Sequence, residues 1–181
     1  MGSMSVIEGN NLLLRHLTKA DLGDFTKVVT DSLYGKFSPL GKITEEVAEQ
    51  MLNHIVDNYH TNRYEFWAVL DKQFQSIAGF VGYHPVIFEN VTQEMFFVGF
   101  YTKYWGSKFP AIATGYACQY AFEEEKIPKL IAFVHPDDTA ALMCAQIMEA
   151  KFEKEAVFFG ATLFLFSLEQ KNFNRLVLET A

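Results

Sequence analysis

Thr102-Lys103-Tyr104-Trp105-Gly106-Ser107-Lys108-Phe109-Pro110-Ala111-Ile112 stands between an apolar run with the character of a strand, 95–101, and one with the character of a helix, 110–124. A strand that feeds a Gly-containing turn and then a helix leaves backbone N–H groups unpaired. It also aims the positive helix end at whatever lies beyond it, an arrangement that suits phosphate. The stretch therefore predicts an anionic, phosphate-bearing ligand. It is sparing of glycine, with Gly106 alone, followed by Lys108 and Pro110.

Downstream of this turn and its helix, Leu130-Ile131-Ala132-Phe133-Val134 is apolar without alternation, the pattern of a strand buried on both faces. The turn thus opens a β-α-β unit. A helix over 139–150 and two strands, 152–158 and 161–168, complete that half. Upstream, 66–70 and 76–83 read as a hairpin turning at Asp71-Lys72-Gln73, and His84 before Pro85 reads as a strand end. Leu12-Leu13-Leu14-Arg15-His16-Leu17 predicts a further strand, and Thr18 and Asp21 after it have the spacing of a helix cap. A second helix is expected over 44–59, with Val47, Met51, Leu52, Ile55 and Val56 on its apolar face. Tyr34-Gly35-Lys36-Phe37-Ser38-Pro39-Leu40-Gly41 before it reads as a loop whose aromatics floor a pocket.

The chain has 181 residues and is half hydrophobic, which predicts one compact domain over 4–181, with Met1-Gly2-Ser3 a cloning remnant ahead of Met4. Its 18 Phe and 8 Tyr exceed what surfaces carry, so most are expected in the core or lining apolar pockets. A formal charge of -7 argues against general binding to nucleic-acid backbones and leans toward a basic or amine-bearing partner. Cys118 and Cys144 form no CxxC pair and no metal spacing, so neither a disulfide framework nor a metal site is expected, and a reducing cytoplasm fits. No apolar run approaches the ~20 residues of a membrane span, so no membrane association is expected.

Taken in order, these pieces resemble the GNAT superfamily of acetyl-CoA-dependent N-acetyltransferases, and within it the ribosomal-protein N-terminal acetyltransferase type. Leu12-Leu13-Leu14-Arg15-His16-Leu17-Thr18-Lys19-Ala20-Asp21-Leu22 is similar to the family's opening "LLLRPLTEADL". Tyr104-Trp105-Gly106-Ser107-Lys108-Phe109-Pro110-Ala111 falls where the group has "YWGKGYAT", and Val134-His135-Pro136-Asp137-Asp138-Thr139-Ala140-Ala141 where it has "VDPENTAS". Phe152 closes the later helix as in "EKLGF". The resemblance covers nearly the whole chain.

It implies an α/β (α+β) domain with a mixed, mostly antiparallel sheet of about seven strands, splayed at its centre, with helices on both faces and acetyl-CoA as co-substrate in the gap. By the same resemblance the pantetheine arm runs along 98–102, beside Phe100, Tyr101 and Thr102. Trp105, Gly106, Ser107, Lys108, Phe109 and Ala111 belong to the turn that holds the pyrophosphate, and Asp138, Ala141 and Cys144 to a helix facing the coenzyme. The acceptor enters from the opposite side, where Leu33, Tyr34, Phe37 and His84 fall. Large apolar side chains at loop ends also cover cores, and Cys144 equally reads as a buried small hydrophobe.

Lys108 and Pro110 stand where this group carries Gly and Gly or Ala. Either the Lys108 ammonium supplies a point charge to the phosphates, or it is merely solvated while Pro110 starts the helix. A left-handed backbone at Lys108 would be strained. Asp138 stands for the usual Asn and reads as a helix cap, Ala141 removes a hydroxyl that serves the coenzyme sulfur in relatives, and Lys151 replaces a Gly before Phe152. Two residues are candidate bases: Glu94, expected just before the strand, and His135, expected where the sheet splays. Their bland readings are an exposed strand-end carboxylate and a loop histidine bound to a backbone carbonyl. The expected function is transfer of an acetyl group to a primary amine, on a peptide N-terminus or a small molecule, by direct attack in a ternary complex. The alternative is a catalytically impaired module that binds CoA or another ligand, or acts through protein contacts. Apolar strands near 161–168 make a homodimer conceivable.

Overall fold

The computed structural model describes residues 6–59, 61 and 63–174; the expected remnant at 1–3 lies outside the described residues. Eight strands of the described residues form one sheet: β1 (Val6–Glu8), β2 (Leu12–His16), β3 (Glu65–Asp71), β4 (Ser76–Phe88), β5 (Val91–Phe100), β6 (Lys129–Val134), β7 (Lys151–Phe158) and β8 (Ala161–Glu169). Their order is β1-β2-β3-β4-β5-β6-β8-β7, and every neighbouring pair is antiparallel except β5 and β6. The mixed, splayed sheet is as expected, with one strand more than the seven anticipated. That strand, β1, is three residues long and too short to show a period.

Among the described residues five helices flank the sheet: α1 (Leu22–Val29), α2 (Ser32–Phe37), α3 (Glu45–Asp57), α4 (Phe109–Glu123) and α5 (Thr139–Ile147). On one face α1 and α3 bury Phe25, Val28, Leu52 and Ile55 against Phe66 and Phe80 of the sheet. On the other, α4 buries Ala113, Ala117 and Phe122 against Leu14, Trp67 and Val69. Helix α4 is apolar nearly all round, and its many small residues let it lie close on the sheet. Val47, expected on the apolar face of α3, is 41% exposed instead.

Local chemistry sets the helix starts. The Thr18 backbone N–H and Oγ1 both donate to Asp21 Oδ2, at 2.8 and 3.0 Å, and Arg15 grips the same carboxylate with two hydrogen bonds of 2.8 Å. The chain turns through a 3₁₀ segment, Lys19–Asp21, directly into α1. Asp31 accepts from the Leu33 amide at 2.8 Å and caps α2, so part of the stretch read as a loop over 34–41 is helical. Thr44 caps α3 through the Val47 amide at 3.3 Å.

Three further readings change. Strand β4 runs through Pro85 to Phe88, so His84 is inside a strand rather than at its end. Pairing of β3 with β4 stops at Glu65↔Tyr83, so beyond that point β4 has β5 alone as neighbour, and a residue without an N–H is tolerated there. Glu94 lies within β5, paired with Leu130, and not before it. Strand β8 sits between β6 and β7, so 161–168 is internal and β1 and β7 are the sheet's edges.

Candidate active site

The parallel ladder between β5 and β6 consists of two pairs, Glu94↔Leu130 and Met95↔Ile131. Past them the strands part, and a cleft of about 640 Å³ fills the gap, lined from both faces of the sheet. Its β5 wall, residues 96–100, is about 14 Å long at ~3.4 Å per residue.

At the far end of that wall the turn takes shape. Trp105 Nε1 donates to the Phe100 carbonyl at 3.0 Å, and Ser107 Oγ donates to the Tyr104 carbonyl at 2.6 Å while accepting from the Phe109 amide at 3.3 Å. Gly106 has φ +77°, the left-handed region that favours glycine, and a Cβ added there would meet nothing within 4 Å. Lys108 has φ −74° and ψ −14°, so the strain expected of a left-handed backbone there does not arise. Pro110 is the second residue of α4, one later than the expected start. The amides of Gly106, Lys108 and Ala111 have no hydrogen-bond partner among the described residues. Three free N–H groups at a helix start suit an anionic ligand, and the missing Pro110 donor leaves them in place.

Of the residues expected to face a coenzyme, Phe100, Trp105, Gly106, Ser107, Asp138, Ala141 and Cys144 line the cleft. Thr102 and Lys108 are exposed and Ala111 is buried, and none of the three is part of the lining. Tyr101 turns away, donating to Asp24 Oδ1 at 2.7 Å, and Phe109 packs on Tyr104 with ring centres 4.9 Å apart. Asp138 caps α5, accepting from the Ala141 amide at 3.0 Å, and burial raises its carboxyl above the usual range. Burial likewise pushes the Cys144 thiol up to about 11, and its Sγ lies 3.8 Å from Thr114 Oγ1.

The opposite half of the cleft is a wall of rings. Phe37 of α2 stands between Trp105 and His135, at ring distances of 6.2 and 5.3 Å, and so bridges the open end of the splay. His84 is sandwiched between Tyr64 and Phe97 at 4.7 and 4.6 Å, nearly parallel to both. Its Nδ1–H donates to the Pro85 carbonyl at 2.9 Å, and burial lowers its pKa below the ordinary value. Tyr34 lines this half as well, whereas Leu33 is 42% exposed and outside the lining.

The two candidate bases sit at opposite ends. His135 lines the cleft directly after β6, and its Nδ1 accepts from the Asp137 amide at 3.1 Å, an N–H rather than the carbonyl anticipated. Glu94 sits at the closed end of the splay but outside the lining; Arg63 bonds its Oε1 at 3.3 Å, and burial raises its carboxyl. Asp138 is the one Asp, Glu, Lys or Arg among the described lining residues, so the net charge of -7 is carried elsewhere. Sequence reasoning missed Tyr64, His54 and Phe97 on the ring wall and Thr114 beside Cys144. For Thr114 a signal existed, four residues after Pro110, whose carbonyl accepts from its hydroxyl at 2.8 Å. The ring wall has no local signal, because Phe37, His54, His84 and Phe97 come from four separate elements, α2, α3, β4 and β5.

Among known proteins, the sequence profile of the acetyltransferase (GNAT) domain matches residues 11–150. The fold is similar to that of an acetyltransferase of the GNAT family from Bacillus anthracis, at 18% identity and a TM-score of 0.75 over 92% of this chain and 99% of that one. It is also similar to ribosomal-protein-S5-alanine acetyltransferase from Vibrio fischeri, at 15% identity and 0.75 over 94% and 99%, and to an acetyltransferase from Agrobacterium tumefaciens, at 17% and 0.76 over 93% and 96%.

Proposed function

Because the chain belongs to the GNAT acetyltransferase family, whose enzymes transfer acetyl groups from acyl-CoA, we propose that it acetylates a primary amine with acetyl-CoA as co-substrate. The observation that carries this reading is the pairing of a two-rung β5–β6 seam and its cleft with the free amides of Gly106, Lys108 and Ala111 at the start of α4. A coenzyme anchored by its pyrophosphate at that turn, with the Lys108 ammonium beside it, reaches inward along 96–100. The β5 backbone groups that face the gap have no β6 partner beyond Met95, which supports hydrogen bonding to the coenzyme arm.

Acetyl transfer needs the acceptor nitrogen unprotonated, since only its lone pair attacks the thioester carbonyl carbon. Direct attack in a ternary complex forms the C–N bond, breaks the C–S bond and releases CoA as a thiolate. A thiol with a pKa near ~8.5 is a tolerable leaving group, so Ala141 in place of a hydroxyl is compatible with turnover. Similarity to a ribosomal-protein-S5-alanine acetyltransferase supports a peptide N-terminus as one acceptor source.

Calorimetry with acetyl-CoA, CoA and a non-phosphorylated pantetheine analogue tests the reading, followed by an amine screen that monitors thiol release. Micromolar binding that depends on the phosphates is the expected result. No binding at millimolar ligand would overturn it.

A further inference from the structure

The acceptor half of the cleft carries chemistry that its family does not dictate. Its wall is aromatic and aliphatic, with Phe37, Phe66, Phe80, Met51 and Phe97 among its members, and it presents no Asp, Glu, Lys or Arg among the described lining residues. The cleft's one carboxylate, Asp138, is on α5 and engaged in capping that helix. An amine that depends on a counter-ion, such as a polyamine or a lysine side chain, finds none here and would leave its charge unpaired in an apolar wall. An amine mounted on a bulky apolar body buries that body instead, and rings offer stacking as well as area.

One nitrogen in this wall is suited to take a proton. Because a carbonyl oxygen accepts from Nδ1 of His84, the proton of the neutral ring is on Nδ1 and the lone pair is on Nε2. No described residue hydrogen-bonds that Nε2. Among the described residues the titratable neighbours are Tyr64, stacked on the ring, and His54 of α3, whose Nε2 is 3.3 Å from the Tyr64 hydroxyl; Phe66 and Phe97 also pack there. Register places His84 in one row with Met95 and Ile131, the last rung before the strands part. A coenzyme arm entering from the turn and following β5 inward ends at this row.

We propose that the acceptor is a primary amine carried on an aromatic or bulky aliphatic body seated against this ring wall, and that His84 Nε2 accepts its proton during attack. The proposal rests on the acetyl-transfer reading above. As the nitrogen lone pair bonds to the acetyl carbon, one N–H proton passes to Nε2 and the C–S bond electrons leave on sulfur. The imidazolium then returns its proton to the CoA thiolate or to water, so an amide and free CoA are the products. The amine's body has two chemical sources, a free arylalkylamine or a peptide beginning with Phe or Leu.

The test follows CoA thiol release from acetyl-CoA with phenethylamine, a Phe-initiated peptide, an Ala-initiated peptide, spermidine and lysine. It compares wild type with His84→Phe, which keeps the stack, and His84→Gln, so that a folding defect in one leaves the other readable. Acetyl-CoA affinity is measured on every protein. The expected result is kcat/KM at least about tenfold higher for the bulky apolar amines than for spermidine, lysine and the Ala peptide. Loss of the base should then lower kcat by about 10²–10⁴ with the acetyl-CoA Kd and the acceptor KM little changed. The phenethylamine and Phe-peptide arms identify the source. Equal or better turnover of spermidine, lysine or the Ala-initiated peptide overturns the acceptor class, and an undiminished kcat in a folded His84 variant overturns the base. If wild type fails to bind acetyl-CoA, the acetyl-transfer reading falls and this proposal with it; intact binding with either overturning result sinks this proposal alone.

Discussion

At the scale of single residues, two substitutions in family motifs have defined consequences. The Lys108 side chain is exposed, and its own backbone amide is one of the three free N–H groups of the turn. Replacing Lys108→Ala should weaken acetyl-CoA binding by ~1.5–3 kcal/mol, the range for a charged hydrogen bond, with the domain still folded; calorimetry giving an unchanged Kd would remove the role. Asp138 keeps its cap at the expense of burying a carboxylate, which raises its pKa. A carboxyl with a raised folded pKa stabilises the fold at low pH and loses that contribution as pH rises through the folded value. Asp138→Asn retains a capping oxygen without the charge, so it should raise Tm at pH 7, with the gain shrinking toward pH 3.8, the ordinary value of the group. Thermal scans at both pH values read this directly. The cap was legible in the sequence because its partner, Ala141, is three residues away. The setting of His84 was not, because Tyr64 and Phe97 reach it only through strand register.

Elements show the same division between local and distant information. The turn at 105–108, the Thr18–Asp21 capping pair and the unalternated β6 could be read from neighbouring residues, and all are present. The reach of β4 through Pro85 could not, since it depends on where β3 stops pairing. Strands β4 and β5 also approach so closely at one place that side chains are excluded. A Cβ on Gly79 would stand 2.1 Å from the Gly99 carbonyl oxygen and 2.7 Å from the Phe100 Cα, both backbone atoms that cannot step aside. Gly79→Ala should therefore destabilise the fold by ~1–3 kcal/mol, as overpacking does, and urea unfolding should show a lower midpoint. A midpoint equal to wild type would mean that the strands separate at little cost. This β5 wall borders the cleft, so the same variant should bind acetyl-CoA less well.

For the whole molecule, the decisive feature is that two rungs join β1–β5 to β6–β8 across the sheet, with α4 covering the seam. A ligand in the cleft touches both parts and should stabilise them together. At a ligand concentration of 100 Kd the linkage gain is ~2.7 kcal/mol, which for a domain of this size raises Tm by about 5–11 °C. Differential scanning fluorimetry with acetyl-CoA should show this, and pantetheine alone should show far less. Edge-to-edge dimerisation through β8 is ruled out by its internal position, leaving β1 and β7 as the edges that could pair with another copy. Along the chain, everything left of the seam comes from residues up to 100, as a run in which each strand pairs with the one before it, and everything right of it comes from 129 onward. During synthesis the first five strands can therefore zip up in the order they leave the ribosome, while β6 to β8 are made last, after α4. The cleft at the seam is the join between an early-folding half and a late one.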